Sequence, residues 1–313
     1  MDLLFNHTNQ GQVEIKKTLG FLDGDFTYAN LEPDIKLNTP YLVDLVSQEV
    51  YDKVVAYYKD NSSVTGDEEK ARHQSALEYM QLYILSMAYL DFAPNNDLTH
   101  SNAGRVVSKD QNDTIPWDWQ IQKDNSALAK RAYKALDLLF ILLDKSNWTE
   151  WTSSEAYKTA NKLFVKNTNQ FDAVFPINKS GQLYYRLVPF MDDFEKRSIT
   201  AILSDVKVTE LKEATTPDTN QKALLTLVNN AIVYLTMEKA YKVLPVEMFA
   251  EGLLYNENTR MKSQARAEVM QFLSSEAKKY LVELENTYSQ QNLTFEEQNP
   301  TPGLEDGKNY VNL

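Results

Sequence analysis

The sequence predicts a mostly α protein built as two tandem copies of one helical unit, each with a small β-hairpin. Three observations lead there. Apolar residues recur at i, i+3 and i+4 over long stretches, the period of a helix with one buried face. Only 9 Gly and 10 Pro punctuate 313 residues, too few for a fold of many short strands. A set of local features in the first half also returns in the same order in the second.

The elements follow from the residues in turn. After a polar start, Phe26-Thr27-Tyr28 leads into Leu31-Glu32-Pro33, and Ile35, Leu42, Leu45 and Val46 set out a helical apolar face. Thr39-Pro40 has the make-up of an N-cap and first helical residue, so a restart is expected there. Ser47-Gln48-Glu49 predicts a break, followed by a face of Val50, Val54, Tyr57 and Tyr58. Thr65 with Glu68 three residues on fits a capping box. It opens a long helix with the stripe Leu77, Met80, Tyr83, Ile84, Met87 and Ala88, closed by Pro94-Asn95-Asn96. Alternation from Leu98 to Val107, around Asn102-Ala103-Gly104, predicts the hairpin. A second long helix, over 125–145, carries Leu128, Ala132, Ala135, Leu136, Leu139, Leu142 and Leu143 on one side and Lys130, Arg131 and Lys134 on the exposed one.

Apolar density drops around Trp148, Trp151 and Ser153-Ser154-Glu155, where a boundary is expected. Then the order repeats. Leu163-Phe164 before Thr168-Asn169-Gln170 echoes Leu4-Phe5 before Thr8-Asn9-Gln10, and Tyr184 with Leu187-Val188-Pro189 echoes Tyr28 with Leu31-Glu32-Pro33. The helix through Leu224, Leu225, Leu227, Val228, Ile232 and Tyr234-Leu235 matches the one ending in Tyr89-Leu90. Gly252-Leu253-Leu254 stands where Gly104-Arg105-Val106 stood, and the helix of Val269 to Leu284 matches that of Leu128 to Leu143, Ala277 pairing with Ala132. The separation between partners shortens along the chain, which places longer loops in the first copy. The expected organisation is therefore a first repeat over 1–146, a linker over 147–160, a second repeat over 161–288 and a flexible polar C-terminal arm over 289–313.

Composition narrows the function. Forty-four acidic against 32 basic residues give a net charge of −12, which argues against gripping nucleic acid by counterion release. The same charge serves solubility, or a surface past which DNA slides without sticking. The absence of cysteine removes disulfides, thiol catalysis and thiolate metal sites. Met1 to His7 lacks the make-up of a secretion signal, and no apolar run approaches the roughly 18 residues that span a bilayer. A cytosolic protein with no membrane association is expected.

No catalytic, cofactor or metal signature stands out. His7, His73 and His100 fall at non-equivalent points of the repeat; Glu69 and His73 have the spacing of an exposed i, i+4 pair. Asp192-Asp193 are adjacent on a helix and point apart, so they read as a solvated face rather than an acid and base pair. The densest aromatic spot is Pro116-Trp117-Asp118-Trp119-Gln120, which either anchors a partner or closes the helix ends of the first copy.

Leu31-Glu32-Pro33-Asp34-Ile35 leading to Tyr41-Leu42-Val43-Asp44-Leu45 and Glu49-Val50-Tyr51-Asp52, with Ala88-Tyr89-Leu90 and Trp119-Gln120, resembles a family of phage and prophage proteins of Bacteroidetes whose function is unknown. Each half in turn looks like the small helical head–tail connector proteins of long-tailed phages. The second half departs from that pattern in lacking the Trp-Gln step and the Tyr51-Asp52 pair. The resemblance implies a virion structural protein rather than an enzyme: an adaptor at the head–tail junction, made in the host cytoplasm. It would form a homo-oligomeric ring, by analogy a dodecamer of about twelve copies, between the portal protein and the tail or further adaptors. DNA would cross its lumen without specific binding. The expected partner-contact residues are Asn102 and Gly104, Glu251 and Gly252, Trp117 and Trp119, and Pro300 and Pro302 of the arm. A helical scaffold or regulatory module holding non-viral partners is the alternative.

Overall fold

The computed structural model describes residues 2–6, 9–22, 26–97, 99–101, 104–106, 116–244, 246–249, 252–255 and 263–292, and it is mostly helical. The chain divides into two compact units, Met1–Asp192 and Asp193–Leu313.

The first unit opens with Leu3, Leu4 and Phe5 buried ahead of α1 (Asn9–Leu19). The Gln81 side-chain amide donates to Leu4 O (2.7 Å) and the Tyr51 hydroxyl to Asp2 O (2.9 Å), so this short segment is fixed as part of the core. At the end of α1, Gly20 takes a left-handed φ of 77°, and the Arg131 guanidinium donates to Leu19 O (2.6 Å) and Thr18 O (2.9 Å). A cation on the terminal carbonyls satisfies groups that the helix itself leaves open. Arg131, expected on an exposed face, is thus a clamp between two helices.

Helix α2 (Tyr28–Val46) runs without interruption through Pro33 and Pro40. The restart expected at Thr39-Pro40 does not occur, because the stripe of Leu31, Ile35, Leu42 and Val46 stays buried along its whole length. The polar residues within it are satisfied locally. Thr39 Oγ1 donates to Ile35 O (2.7 Å), and the Asn38 amide donates to Asp34 O (2.9 Å) and to Asp91 Oδ2 (2.7 Å). The break at Ser47 is present: its backbone stands at φ 83°, ψ 155°, and its hydroxyl accepts from Val50 N at the start of α3 (Gln48–Lys59).

The long helix α4 (Asp67–Asn96) begins after Gly66, whose φ is 90°, and not from a Thr65 capping box. Asp67, Glu68 and Glu69 fill its first turn, where carboxylates complement the helix N-terminus. It also continues through Pro94 to Asn96. Strands β1 (Thr99–Ser101) and β2 (Gly104–Val106) pair antiparallel, with Ser101 opposite Gly104. Helix α5 (Asp118–Ser146) starts seven residues ahead of the expected position and packs along α4 through Ala132, Leu136, Leu139 and Leu143.

The expected linker over 147–160 is instead packed. It holds α6 (Thr149–Thr152) and most of α7 (Glu155–Lys162), with Trp148 and Trp151 both buried. Trp151 lies against Phe140 (ring centroids 5.7 Å) and Tyr185 (5.3 Å), and Phe140 stacks on Tyr185 at 4.8 Å. Tyr185 belongs to α9 (Gly181–Phe194), which follows α8 (Thr168–Val174). The compact unit consequently extends to Asp192. A drop in aliphatic density misled because aromatic rings fill the same volume with fewer residues.

In the second unit a π-helical turn (Glu195–Ile199) leads to α10 (Thr200–Glu213), which is kinked at Ser204 with φ 66°, ψ 158°. Helix α11 (Thr219–Val243) opens with a reciprocal cap: Gln221 N donates to Asp218 Oδ1 (2.8 Å) and Asp218 N to Gln221 Oε1 (3.0 Å). Strands β3 (Val246–Phe249) and β4 (Gly252–Tyr255) pair antiparallel, Phe249 opposite Gly252. Helix α12 (Ser263–Asn292) packs along α11 and buries Leu273, Ala277 and Leu284. It takes in the first residues of the expected arm; the rest of that arm, with Pro300 and Pro302, lies outside the described residues.

Helix α9 starts against α5 with no room for a side chain: a Cβ on Gly181 would lie 2.6 Å from Phe140 Cβ. Gly181→Ala is expected to lower stability by about 1–3 kcal/mol through overpacking, read as a fall in the urea midpoint without a change in slope. An unchanged midpoint would show that the α5/α9 contact yields freely.

Candidate interaction site

The N-terminus of α5 carries the largest exposed aromatic side chains of the described residues. Trp117 precedes the helix in an extended conformation (φ −73°, ψ 148°); its backbone N–H donates to Gln120 Oε1 (2.9 Å), and its carbonyl accepts from Gln120 N (2.8 Å). Gln120 thus fixes the entry of the chain, and Asp118 supplies the first-turn carboxylate. Neither indole is drawn into the core: Trp117 is 70% exposed and Trp119 61%. Pro116, Trp117, Asp118, Trp119 and Gln122 line one shallow concavity of about 590 Å³. The reading in which these tryptophans close the helix ends of the first copy is therefore wrong, because the side chains that would close an end are on the surface.

Of the other expected contact residues, Gly104 and Gly252 lie in strands, at the ends of the paired registers. Asn102 and Glu251 lie outside the described residues.

The Glu69/His73 pair is present, but it is not exposed. His73 is only 4% exposed, its Nδ1 lies 2.9 Å from Glu69 O, and its ring sits between Trp148 (4.6 Å) and Tyr57 (5.2 Å). Glu69 Oε1 accepts from Trp148 Nε1 (2.8 Å). This is a packed core histidine held by its neighbours. Asp193, read as solvated, is half-buried and pairs with Arg197 (2.7 Å) and Lys239 (3.0 Å); the Lys239 hydrogen bond holds its carboxyl below the usual range. Among the described residues no group of three or more His, Cys, Asp or Glu is placed to hold a metal ion, and no helix is long and apolar enough to cross a membrane.

A second, polar cleft of about 640 Å³ lies between α5, α7 and α9, with Asp144, Tyr157 and Tyr185 on its walls and Lys145, Lys166 and Lys179 around it. Sequence reasoning passed over Asp144, because a single carboxylate beside a leucine stripe carries no distinguishing pattern. Its Oδ1 accepts from Trp151 Nε1 (3.0 Å) and from the Tyr185 hydroxyl (2.9 Å). Burial pushes the Asp144 carboxyl up, against the two hydrogen bonds that favour the anion, and burial together with Asp144 pushes the Tyr185 hydroxyl up. The carboxylate joins three elements and serves the fold.

A family of unknown function (DUF6712) has a model that matches residues 42–161. The matched stretch takes in α4, α5, the exposed tryptophans and the packed segment that holds Trp148 and Trp151. No curated protein and no solved structure matches the chain.

Asp144 gives a test with a defined sign. Asp144→Ala strands the Trp151 and Tyr185 donors and is expected to cost about 2–4 kcal/mol; Asp144→Asn keeps an acceptor for both and is expected to match the parent or exceed it at neutral pH. Because burial raises the folded-state pKa above the ordinary 3.8, the folded protein holds the extra proton between the two values. The Asp144 contribution is greatest below 3.8 and is lost as pH rises through the raised value. Urea titrations from pH 4 to pH 7 should show the parent losing stability relative to Asp144→Asn as pH rises. The opposite slope would place the carboxylate in a net stabilising ion pair.

Proposed function

We propose that the protein is a structural component of a phage virion, an adaptor of the head–tail junction that assembles as a ring, and that its chain is a tandem duplication of one helical unit. The recurrence of one framework along the chain is the observation that carries this reading. A helix with an internal proline (Pro33, Pro189) runs to a serine of nearly identical backbone conformation (Ser47, φ 83°, ψ 155°; Ser204, φ 66°, ψ 158°). Next come a long helix, an antiparallel strand pair with glycine opening its second strand, and another long helix.

Burial supports the equivalence residue by residue. Tyr28, Leu31 and Ile35 correspond to Tyr184, Leu187 and Met191, and Leu42 and Val46 to Ile199 and Leu203; all are buried. In the long helices Ala76, Met80, Ile84 and Ala88 correspond to Leu224, Val228, Ile232 and Thr236, which moves the alignment three residues from a Tyr89/Tyr234 match and brings it into phase with Gly104/Gly252. Between Met191 and Ile199 the second copy holds one residue more than the first does between Ile35 and Leu42. The π turn Glu195–Ile199 lies there, with Thr200 N bonded to Glu195 O. One inserted residue widened into a π turn keeps the buried face in phase on both sides.

A repeated rigid helical body with exposed aromatic anchors on one copy suits an assembly wall with unequal faces. The resemblance supplies the setting: a ring of about twelve copies by analogy, with the portal protein on one side and the tail or further adaptors on the other. DNA would pass an acidic lumen without specific binding. Negative-stain imaging and light scattering of the purified protein, alone and mixed with its portal, are expected to show closed rings and a portal complex. A monomer that ignores the portal overturns the adaptor reading and favours a scaffold that holds other partners. The duplication has its own test. Deleting exposed Lys196 is expected to leave stability within about 1 kcal/mol by returning the turn to α-helix, whereas inserting an alanine beside it costs about 2 kcal/mol or more by rotating the buried face. Equal losses from both changes would show that the π turn is not an absorbed insertion.

A further inference from the structure

The concavity at the start of α5 has a composition that selects for the sign of charge. Two indoles, a proline, one carboxylate and one amide line it. Indole faces are negative and attract cations more strongly than other aromatic rings do. Asp118, on the same lining, adds a full negative charge and offsets the partial positive charge at the helix N-terminus, which would otherwise oppose a cation. An anionic occupant would meet the carboxylate and the ring faces together. A purely aliphatic one would cover the rings and strip water from Asp118 without replacing it. A flat or compact organic cation covers the apolar surface and neutralises the carboxylate.

We propose that Trp117, Asp118 and Trp119 form a binding site for an organic cation, the side chain of an arginine or lysine presented by a partner protein. Guanidinium is favoured over ammonium, since it is planar, more weakly hydrated and able to stack on an indole while donating to a carboxylate or to the Gln122 amide oxygen. A protein source follows from charge complementarity: a chain of net charge −12 attracts a basic surface. That source rests on the reading of the protein as an assembly component; the recognition chemistry does not.

The test follows the four indole N–H resonances of the full-length protein at constant ionic strength. The probes are a short acetylated Gly-Arg repeat peptide, the matching Gly-Glu peptide and tetramethylammonium chloride. The Gly-Arg peptide is expected to shift two indole signals saturably, those lost in Trp117→Phe and Trp119→Phe, and to leave the Trp148 and Trp151 signals unmoved because their N–H groups are bonded to Glu69 and Asp144. Asp118→Asn and Trp119→Ala are each expected to weaken binding about tenfold or more, with the two core signals unchanged as evidence that both variants fold. Shifts that the Gly-Glu peptide reproduces, or that survive these substitutions, overturn the site. Binding of tetramethylammonium as tight as that of the Gly-Arg peptide overturns the protein side chain as its occupant in favour of a free small cation. Rings that form with no response to the Gly-Arg peptide sink only this inference, whereas peptide binding by a protein that never assembles sinks only the adaptor.

Discussion

The first unit depends on how one buried carboxylate is accommodated. Asp144 stands near the end of α5, and the Trp151 indole and the Tyr185 hydroxyl both converge on its Oδ1. Those two donors bring their rings against Phe140. A single acceptor therefore orients an aromatic cluster drawn from α5, α6 and α9. Both donors are paired, so the rings are buried without leaving an orphan donor, and that is the condition for tryptophan and tyrosine to enter a core. The position of α9, and with it the approach of Gly181 to Phe140, follows from this arrangement.

Polar contacts hold the remaining joints of that unit. Arg131 reaches across from α5 to the last carbonyls of α1, and Asn38 joins α2 to Asp91 of α4. Lys53 pairs with Glu150 and lies over the Trp148 ring, so α3 is fixed to the segment after α5. In each case a side chain that looks solvent-directed in one dimension is the partner of a distant carbonyl, carboxylate or ring. On the surface of the unit, Trp117 and Trp119 stand exposed beside a shallow concavity.

Under the proposed duplication, this surface belongs to one copy alone. Helices α4 and α5 flank one strand pair and α11 and α12 another, and tryptophans stand at the start of α5 but not at that of α12. Helix α2 exposes Leu37 and Tyr41, whereas the end of α9 and the π-helical turn carry Asp193 and Arg197, paired with each other. On the proposed reading, equivalent scaffolds with unequal surfaces suit a component that faces two different neighbours.

The helical class, the long apolar stripes and the break at Ser47 were legible in the sequence, because periodicity and a break in it are local and leave a local signature. Helix limits were less so. Thr39-Pro40 reads as a restart, but burial of the continuous stripe through Ile35, Leu42 and Val46 outweighs the local preference of the proline. The candidate site was legible as an aromatic cluster, and its exposure was not, since a tryptophan is as much at home in a core as at an interface. What the sequence by itself determined is the helical class and the apolar stripes of the long helices. Only the tertiary structure decided that Trp148 and Trp151 belong to the first unit's core while Trp117 and Trp119 stay outside. The physical reason is partner availability: Glu69 and Asp144, far away in sequence or hidden in a leucine stripe, accept the first pair's indole N–H groups, and the second pair lies at a helix start over a shallow concavity.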